Sequence, residues 1–243
     1  MKIIKLNAID STNSYLINLG KNEPLEDATI VVTTSQKKGR GQQGATWQST
    51  PLQSLTFSMF KRFGDLEISA ISCITYAVSI GVQKAMKKLL VPNVEIKWPN
   101  DIMSHSKKLT GILIENQVKQ GKIVSSVIGI GINVNEVKFE NLPKATSMLL
   151  ETGINFNLEE VLHEVSDAIL NELNFIETNK TSELKTVYET HLFRKEKISV
   201  FETPEGKRFN GKIKGVTKTG ELIVENEDDL LKTFQLKEIK LLF

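Results

Sequence analysis

The chain has 243 residues, 40% hydrophobic and 25% charged, which is the usage of a folded globular protein and excludes a disordered one. Its 31 Lys and Arg against 29 Asp and Glu leave a net +2; from His191 onward there are 11 basic and 9 acidic residues, so the remainder balances at 20 against 20 and neither part grips nucleic acid by charge alone. The single cysteine, Cys73, excludes a disulfide framework and a cysteine-built zinc cluster.

No uninterrupted apolar run approaches the roughly 18 residues of a membrane span, and Met1-Lys2-Ile3-Ile4-Lys5 lacks the pattern of a signal peptide. A cytoplasmic protein is expected. Along the chain, residues 29–34 and 54–60 read as strands bracketing a Gly-rich loop. Ile68, Ile71, Ile74, Val78, Val82, Ala85 and Leu89 form a helical stripe that Pro92 ends. Three strands are predicted next, over 94–98, 109–115 and 123–134. Asn157 resembles an N-cap, followed by a long amphipathic helix marked by Leu158, Val161, Leu162, Val165, Ile169, Leu173 and Ile176. A shorter helix is predicted from Ser182 to about Leu192. Beyond Arg194 the pattern changes to short strands over 197–201, 208–214 and 221–225, with one or two more in 234–243. A small appended β-barrel is expected, with its boundary near 185–195.

Four segments carry candidate chemistry. Gly39-Arg-Gly-Gln-Gln-Gly-Ala-Thr-Trp47 offers tight turns and backbone N–H groups, a permanently charged fork at Arg40 and a flat face at Trp47. Lys97-Trp-Pro-Asn-Asp101 sets an amide beside a carboxylate at the end of a strand, which suits a nucleotide or a magnesium-bound phosphate. In Lys107-Lys108-Leu-Thr-Gly-Ile-Leu-Ile-Glu115, strand alternation puts Leu109, Gly111 and Leu113 on one face with Lys108 at its entrance. In Ile128-Gly-Ile-Gly-Ile-Asn-Val-Asn135, Gly129 and Gly131 share a face opposite Ile130 and Ile132, leaving room for something flat. Each segment also has a plainer explanation: a flexible hairpin, a turn bonding its own backbone, a solvated lysine, or a close strand-on-helix contact. As a set they form a glycine-lined slot with cations. Such a slot could neutralise a carboxylate attacking the α-phosphorus of ATP and shield the mixed anhydride from water.

On these motifs, with Ser11-Thr12-Asn13 and Gln36, the chain resembles the biotin protein ligases, in the short form without a DNA-binding domain. The resemblance covers essentially the whole chain. It implies an α+β fold, a mixed β-sheet backed by helices of the class II synthetase-like biotin/lipoate ligase type over 1–190, and a small SH3-like barrel over 191–243. It implies biotin and ATP as substrates, Mg2+, biotinyl-5′-AMP as intermediate, and the lysine of a biotin carboxyl carrier domain as acceptor. Lys108 and Arg40 would be the catalytic residues. Ser11, Thr12, Asn13, Gln36, Gly39, Arg40, Gly41, Lys108, Gly111, Leu113, Gly129 and Gly131 would bind biotin. Arg40, Gln42, Trp47, Asn100, Asp101, Ile132 and Asn133 would face the adenylate, with no protein metal site assigned.

One departure is visible: Gln42, Gln43 and Ala45 stand where many members carry further loop arginines. A weaker electrostatic hold on the intermediate is therefore expected, or reliance on another cation such as Lys37 or Lys38. The rival assignments are a lipoate–protein ligase or octanoyltransferase, a transcriptional regulator, and a biotin-binding protein without ligase activity. Cys73 falls within the first helical stripe and reads as a core residue, which disfavours thioester chemistry. DNA and membrane partners are not expected, a homodimer is possible, and His105, His163 and His191 show no metal-type spacing. The acidic stretch 225–229 reads as a solvated hairpin turn or as a docking surface for the acceptor.

Overall fold

A computed structural model describes residues 1–178 and 181–243. The first strands and helix are β1 (Ile3–Ile9), α1 (Thr12–Asn22), β2 (Ile30–Gln36) and β3 (Ser54–Glu67). They are followed by α2 (Ile71–Lys88), β4 (Val94–Lys97), β5 (Asp101–Ser104), β6 (Lys107–Lys119) and β7 (Lys122–Asn133). Three helices come next, α3 (Met148–Thr152), α4 (Leu158–Glu177) and α5 (Thr181–Thr190). The chain ends with β8 (Ile198–Glu202), β9 (Arg208–Val216), β10 (Leu222–Asn226), β11 (Leu231–Phe234) and β12 (Lys240–Leu242).

The larger sheet has the order β1-β2-β3-β7-β6-β5-β4. Only β1 and β2 are parallel, so the sheet is mixed. Period-2 alternation sorts its residues onto two faces. Phe57, Met59, Ile112, Ile128, Ile130 and Ile132 join the main core with α2 and α4, while Val31 and Val127 pack with Leu16 and Leu25 on the α1 side. Cys73 is buried in the main core, and burial pushes its thiol above the ordinary value. Asn157 caps α4, its side chain accepting the Glu159 N–H at 2.8 Å.

The segment Ile68–Lys88 is long and apolar enough by composition to cross a membrane, but in this fold α2 is the central core helix. It crosses α4 at Gly81, where a Cβ would stand 2.7 Å from Ile169 Cα and 2.9 Å from Ala168 O. Backbone atoms cannot yield as a side-chain tip can. Gly81→Val is therefore expected to destabilise the fold by about 3 kcal/mol, lowering Tm by roughly 6–12 °C in a calorimetric scan; an unchanged Tm would mean that the helices separate freely.

Lys61 is a buried cation, its ammonium 2.8 Å from both Asp27 and Glu177. Desolvation pushes the Asp27 carboxyl up, but the Arg62 N–H and the Lys61 ammonium outweigh it and hold the carboxyl below 3.8. Desolvation likewise lowers Lys61, yet its two carboxylates raise it above 10.5. A depressed Asp contributes stability above its unfolded value and loses it as pH falls through the folded one; a raised Lys loses its contribution as pH rises through its folded value. Urea titrations are expected to show this clip intact from about pH 4 to 10, with Lys61→Met flattening both limbs of the stability profile.

The second sheet is antiparallel, with the order β11-β10-β9-β8-β12, a barrel-like unit as expected. It is pinned to the first unit by Ser72 Oγ donating to Lys218 O and Trp98 Nε1 donating to Gly220 O, both at 2.9 Å. The joining residues are tied to the edge of the first sheet: Ile96 N–H donates to His191 O, and Phe193 N–H to Ile96 O. The acidic stretch forms the β10–β11 turn, where Asn226 Oδ1 accepts the N–H groups of Asp228 and Leu230.

Several elements differ from the sequence expectation. The first helical stripe opens too early, because β3 continues to Glu67 before the helix begins at Ile71. β1, α1 and β5 carry no assignment in the sequence reading. β1 is an edge strand with no fully buried residue, and α1 buries only Thr12, Asn13 and Leu16, so neither has a strong apolar period.

Candidate active site

Strand register builds the site floor. Thr56, Gly131, Gly111 and Asp101 are direct cross-strand partners on four neighbouring strands, and Ser58, Gly129 and Leu113 form the next row. Partners directly opposite share a face, so the three glycines leave a slot in the α1 side of the sheet. At Gly129 a Cβ would fall 2.2 Å from Asn13 Oδ1, and at Gly131 only 2.3 Å from the Trp47 ring. No side chain fits there without moving these groups. The slot has a volume of about 230 Å³.

Lys108 reaches this face through a β-bulge. Thr110 pairs with Ile102 but Lys108 with Met103, so Leu109 is the extra residue on β6. This corrects the simple alternation: Leu109 packs into the core with Ile112, while Lys108 and Gly111 come together on the slot side, with Lys108 Cε 3.5 Å from a Cβ at Gly111. The Lys108 ammonium lies 2.7 Å from Asp101 Oδ1 and 5.6 Å from the centre of the Trp47 ring. Lys97 approaches Asp101 Oδ2 at 3.6 Å. Lys108 also borders a larger cleft of about 1330 Å³ beneath the C-terminal unit, shared by Trp47, Lys97, Asp101, Asn133 and Lys144. Lys108 thus stands where the small slot opens into the large cleft.

The Gly-rich loop is a short hairpin. Trp47 N–H donates to Gly39 O at 3.0 Å, and Gly41 N–H to Ala45 O at 2.7 Å. Gly44, at φ +85°, makes the tip, and a Cβ at Gly39 would fall 2.1 Å from Trp47 O. The hairpin lays Trp47 against Gly111 and Gly131, so its ring rests on the slot floor.

Arg40 lies at the end of the slot remote from Lys108. Its Nη2 is 2.6 Å from Glu115 Oε1, and its Nη1 donates to Ser14 Oγ at 3.0 Å. Beside it, Asn13 Nδ2 donates to Glu115 Oε2 at 2.8 Å, and Ser58 Oγ lies 2.5 Å from Asn13 Oδ1 and 2.7 Å from Thr12 Oγ1. Gln36 Oε1 accepts from Thr12 N–H at 2.9 Å, which aims the rest of its amide toward the loop. Ser11 caps α1 and so presents Thr12 and Asn13 at the slot wall.

The structure gathers Ser11, Thr12, Asn13, Gln36, Arg40, Gly41, Gln42, Trp47, Asn100, Asp101, Lys108, Gly111, Leu113, Gly129 and Gly131 around the slot. Gly39 shapes the base of the loop. Ile132 is fully buried in the core on the opposite face, as alternation from Gly131 requires, so its side chain is withdrawn from the adenylate set. Asn100 spends its amide on Ile112 O at 2.7 Å, and Asn133 on Thr146 O at 2.9 Å, so both donors brace backbone. Lys38 pairs with Asp10, and from the C-terminal unit Lys237 Nζ donates to Gln43 O of the loop at 3.2 Å. Sequence reasoning missed Thr56, Ser58 and Glu115. Thr56 and Ser58 alternate along β3 at the spacing of the two glycines, the one sequence signal that could have marked them. Thr56 is buried, and its hydroxyl has no hydrogen-bond partner among the described residues. Among the described residues no group of three or more His, Cys, Asp or Glu could hold a metal ion.

The Biotin/lipoate A/B protein ligase family model matches residues 6–133. The bifunctional ligase/repressor BirA of Escherichia coli (strain K12) is 29% identical over 245 residues, covering 97% of this chain and 73% of that protein. The biotin–[acetyl-CoA-carboxylase] ligase of Mycobacterium tuberculosis is 33% identical over 147 residues, 59% of this chain and 53% of that protein. The Aquifex aeolicus biotin protein ligase solved with biotin and ATP superposes with a TM-score of 0.80 at 26% identity, covering 99% of this chain and 98% of that one. The matched segment runs from β1 to the end of β7 and holds the whole slot, and the chain belongs to the biotin/lipoate A/B protein ligase family.

Proposed function

We infer that the chain is an ATP-dependent biotin protein ligase. It condenses the biotin carboxylate with the α-phosphate of ATP, releasing pyrophosphate, and passes the biotinyl group from biotinyl-5′-AMP to a lysine amine of a biotin carboxyl carrier domain, releasing AMP. The observation that carries this is the glycine-floored slot ending at the Lys108 ammonium. A flat bicyclic ring fits against backbone, its tail runs beside Trp47, and its carboxylate arrives at the cation.

At that point Lys108 neutralises the two anions that must meet, and Asp101, with Lys97 behind it, fixes the ammonium. Trp47 and the loop cover the slot and exclude water from the anhydride. The attacking amine belongs to the acceptor, so no nucleophile of this chain is consumed. Magnesium would enter with ATP, held mainly by phosphate oxygens and neutralising their charge; Asp101 is a carboxylate at the cleft that would be able to share it. Thr12, Gln36 and Ser58 form the polar head end, and Thr56 offers the slot a buried hydroxyl. The catalytic unit is assigned to 1–190 and the barrel-like unit to 191–243, with a cytoplasmic setting.

Biotin-dependent exchange of pyrophosphate into ATP tests the first half-reaction without an acceptor. Exchange that requires biotin and is not supported by lipoate is the expected result; exchange with lipoate alone would overturn the assignment.

A further inference from the structure

We propose that Glu115 is a positioning residue that fastens the Gly-rich loop across the head end of the slot. One carboxylate holds two different elements: Oε1 takes Arg40 of the loop at 2.6 Å, and Oε2 takes Asn13 of α1 at 2.8 Å. Glu115 lies on β6 opposite Val127 of β7, beyond the stretch that β5 also pairs, so the long β6–β7 ladder holds the anchor point. Asn13 in turn lies on Gly129, where the absence of a Cβ lets its amide sit in the slot wall.

Arg40 is the only cationic side chain between Gly39 and Trp47. The loop therefore has one charged tether of its own, and it is spent on Glu115 at the head end. Lys237, from the C-terminal unit, meets the loop at the Gln43 backbone carbonyl. Charge-assisted bonds are shorter and stronger than neutral ones, but Arg40 is 46% exposed and Glu115 28%, so water and salt screen the pair. The clasp is firm enough to order the loop and weak enough to open when pyrophosphate leaves or an acceptor lysine enters. It also couples two events. An occupant of the slot that presses on Asn13 is felt by the loop through the same carboxylate.

Glu115→Gln keeps the shape and one acceptor but removes the charge. The first arm needs no ligand: trypsin cleavage after Arg40, followed by intact mass. The variant is expected to be cut about five- to tenfold faster at low salt, and added NaCl should accelerate cleavage of the wild type alone, because only its tether is screened. The second arm rests on the ligase assignment: KM for biotin should rise about tenfold, with KM for ATP and kcat within about twofold. Glu115→Asp, which retains the charge, is expected to recover the salt dependence. Equal cleavage rates at every salt concentration, or equal rises in both KM values, would overturn the proposal. Wild-type protein lacking biotin-dependent exchange would sink the ligase assignment instead, with the cleavage arm still deciding the clasp.

Discussion

Lys108→Ala is expected to lower biotin-dependent pyrophosphate exchange by about a thousandfold while leaving the fold intact. The lysine stands at the junction of the slot and the large cleft, and the bulge at Leu109 turns it toward both. In the proposed reaction it would face the point where carboxylate and phosphate approach and negative charge accumulates. Its contribution to stability is small. The ion pair with Asp101 is more than a third exposed on the lysine side, and such pairs contribute about 0–1 kcal/mol; Lys97 remains 3.6 Å from Asp101 when Lys108 is removed. Exchange kinetics beside a thermal melt separate the two effects. Lys108→Arg is not a conservative control, because a planar fork cannot reproduce a point charge wedged between Asp101 and the Trp47 ring. Near-normal exchange in Lys108→Ala would remove the lysine from the chemistry.

Gly131→Val is expected to weaken biotin binding by a hundredfold or more, about 2.7 kcal/mol, with a smaller loss of stability, about 1 kcal/mol, as the Trp47 ring is forced off the floor. A single Cβ at this position already falls 2.3 Å from the Trp47 ring, and the γ-methyl groups would push that ring into the slot proposed to hold biotin. Strand geometry itself favours valine, since glycine in a central strand costs conformational entropy and packs nothing. Trp47 is only half-buried, so the clash falls on the loop and binding should drop far more than stability, a disproportion that a merely structural glycine would not give. Isothermal titration with biotin beside calorimetry reads both. Unimpaired binding in Gly131→Val would place the ligand elsewhere.

Much of this site was legible in the residues. Gly129 and Gly131 at i and i+2, between isoleucines that must face the core, announced a strand with an empty face, and register places Gly111 beside them as the motifs implied. Ser11-Thr12-Asn13 and Gln36 lie far apart in sequence, and the family pattern linked them before the α1 cap and the Thr12–Gln36 bond did so in space. What stayed hidden depends on tertiary context. The Leu109 bulge breaks alternation without a glycine or proline to mark it, so Leu109 was assigned to the wrong face. Ile132 adjoins the slot glycines in sequence, yet alternation from Gly131 sends its side chain to the core. Arg40 reads as an adenylate cation by position, yet the fold brings it to Glu115, seventy-five residues later, a pairing no local pattern encodes. β1 and α1 escaped notice because an edge strand and a lightly buried helix need little apolar periodicity.

The most direct test is group transfer itself. Purified protein, MgATP and an apo biotin-carrier domain are incubated with biotin or with lipoate, and the carrier is weighed intact. A biotin-sized gain on one lysine, absent with lipoate and absent without ATP, is the predicted result. A carrier left unmodified by biotin, or modified by lipoate alone, would contradict it.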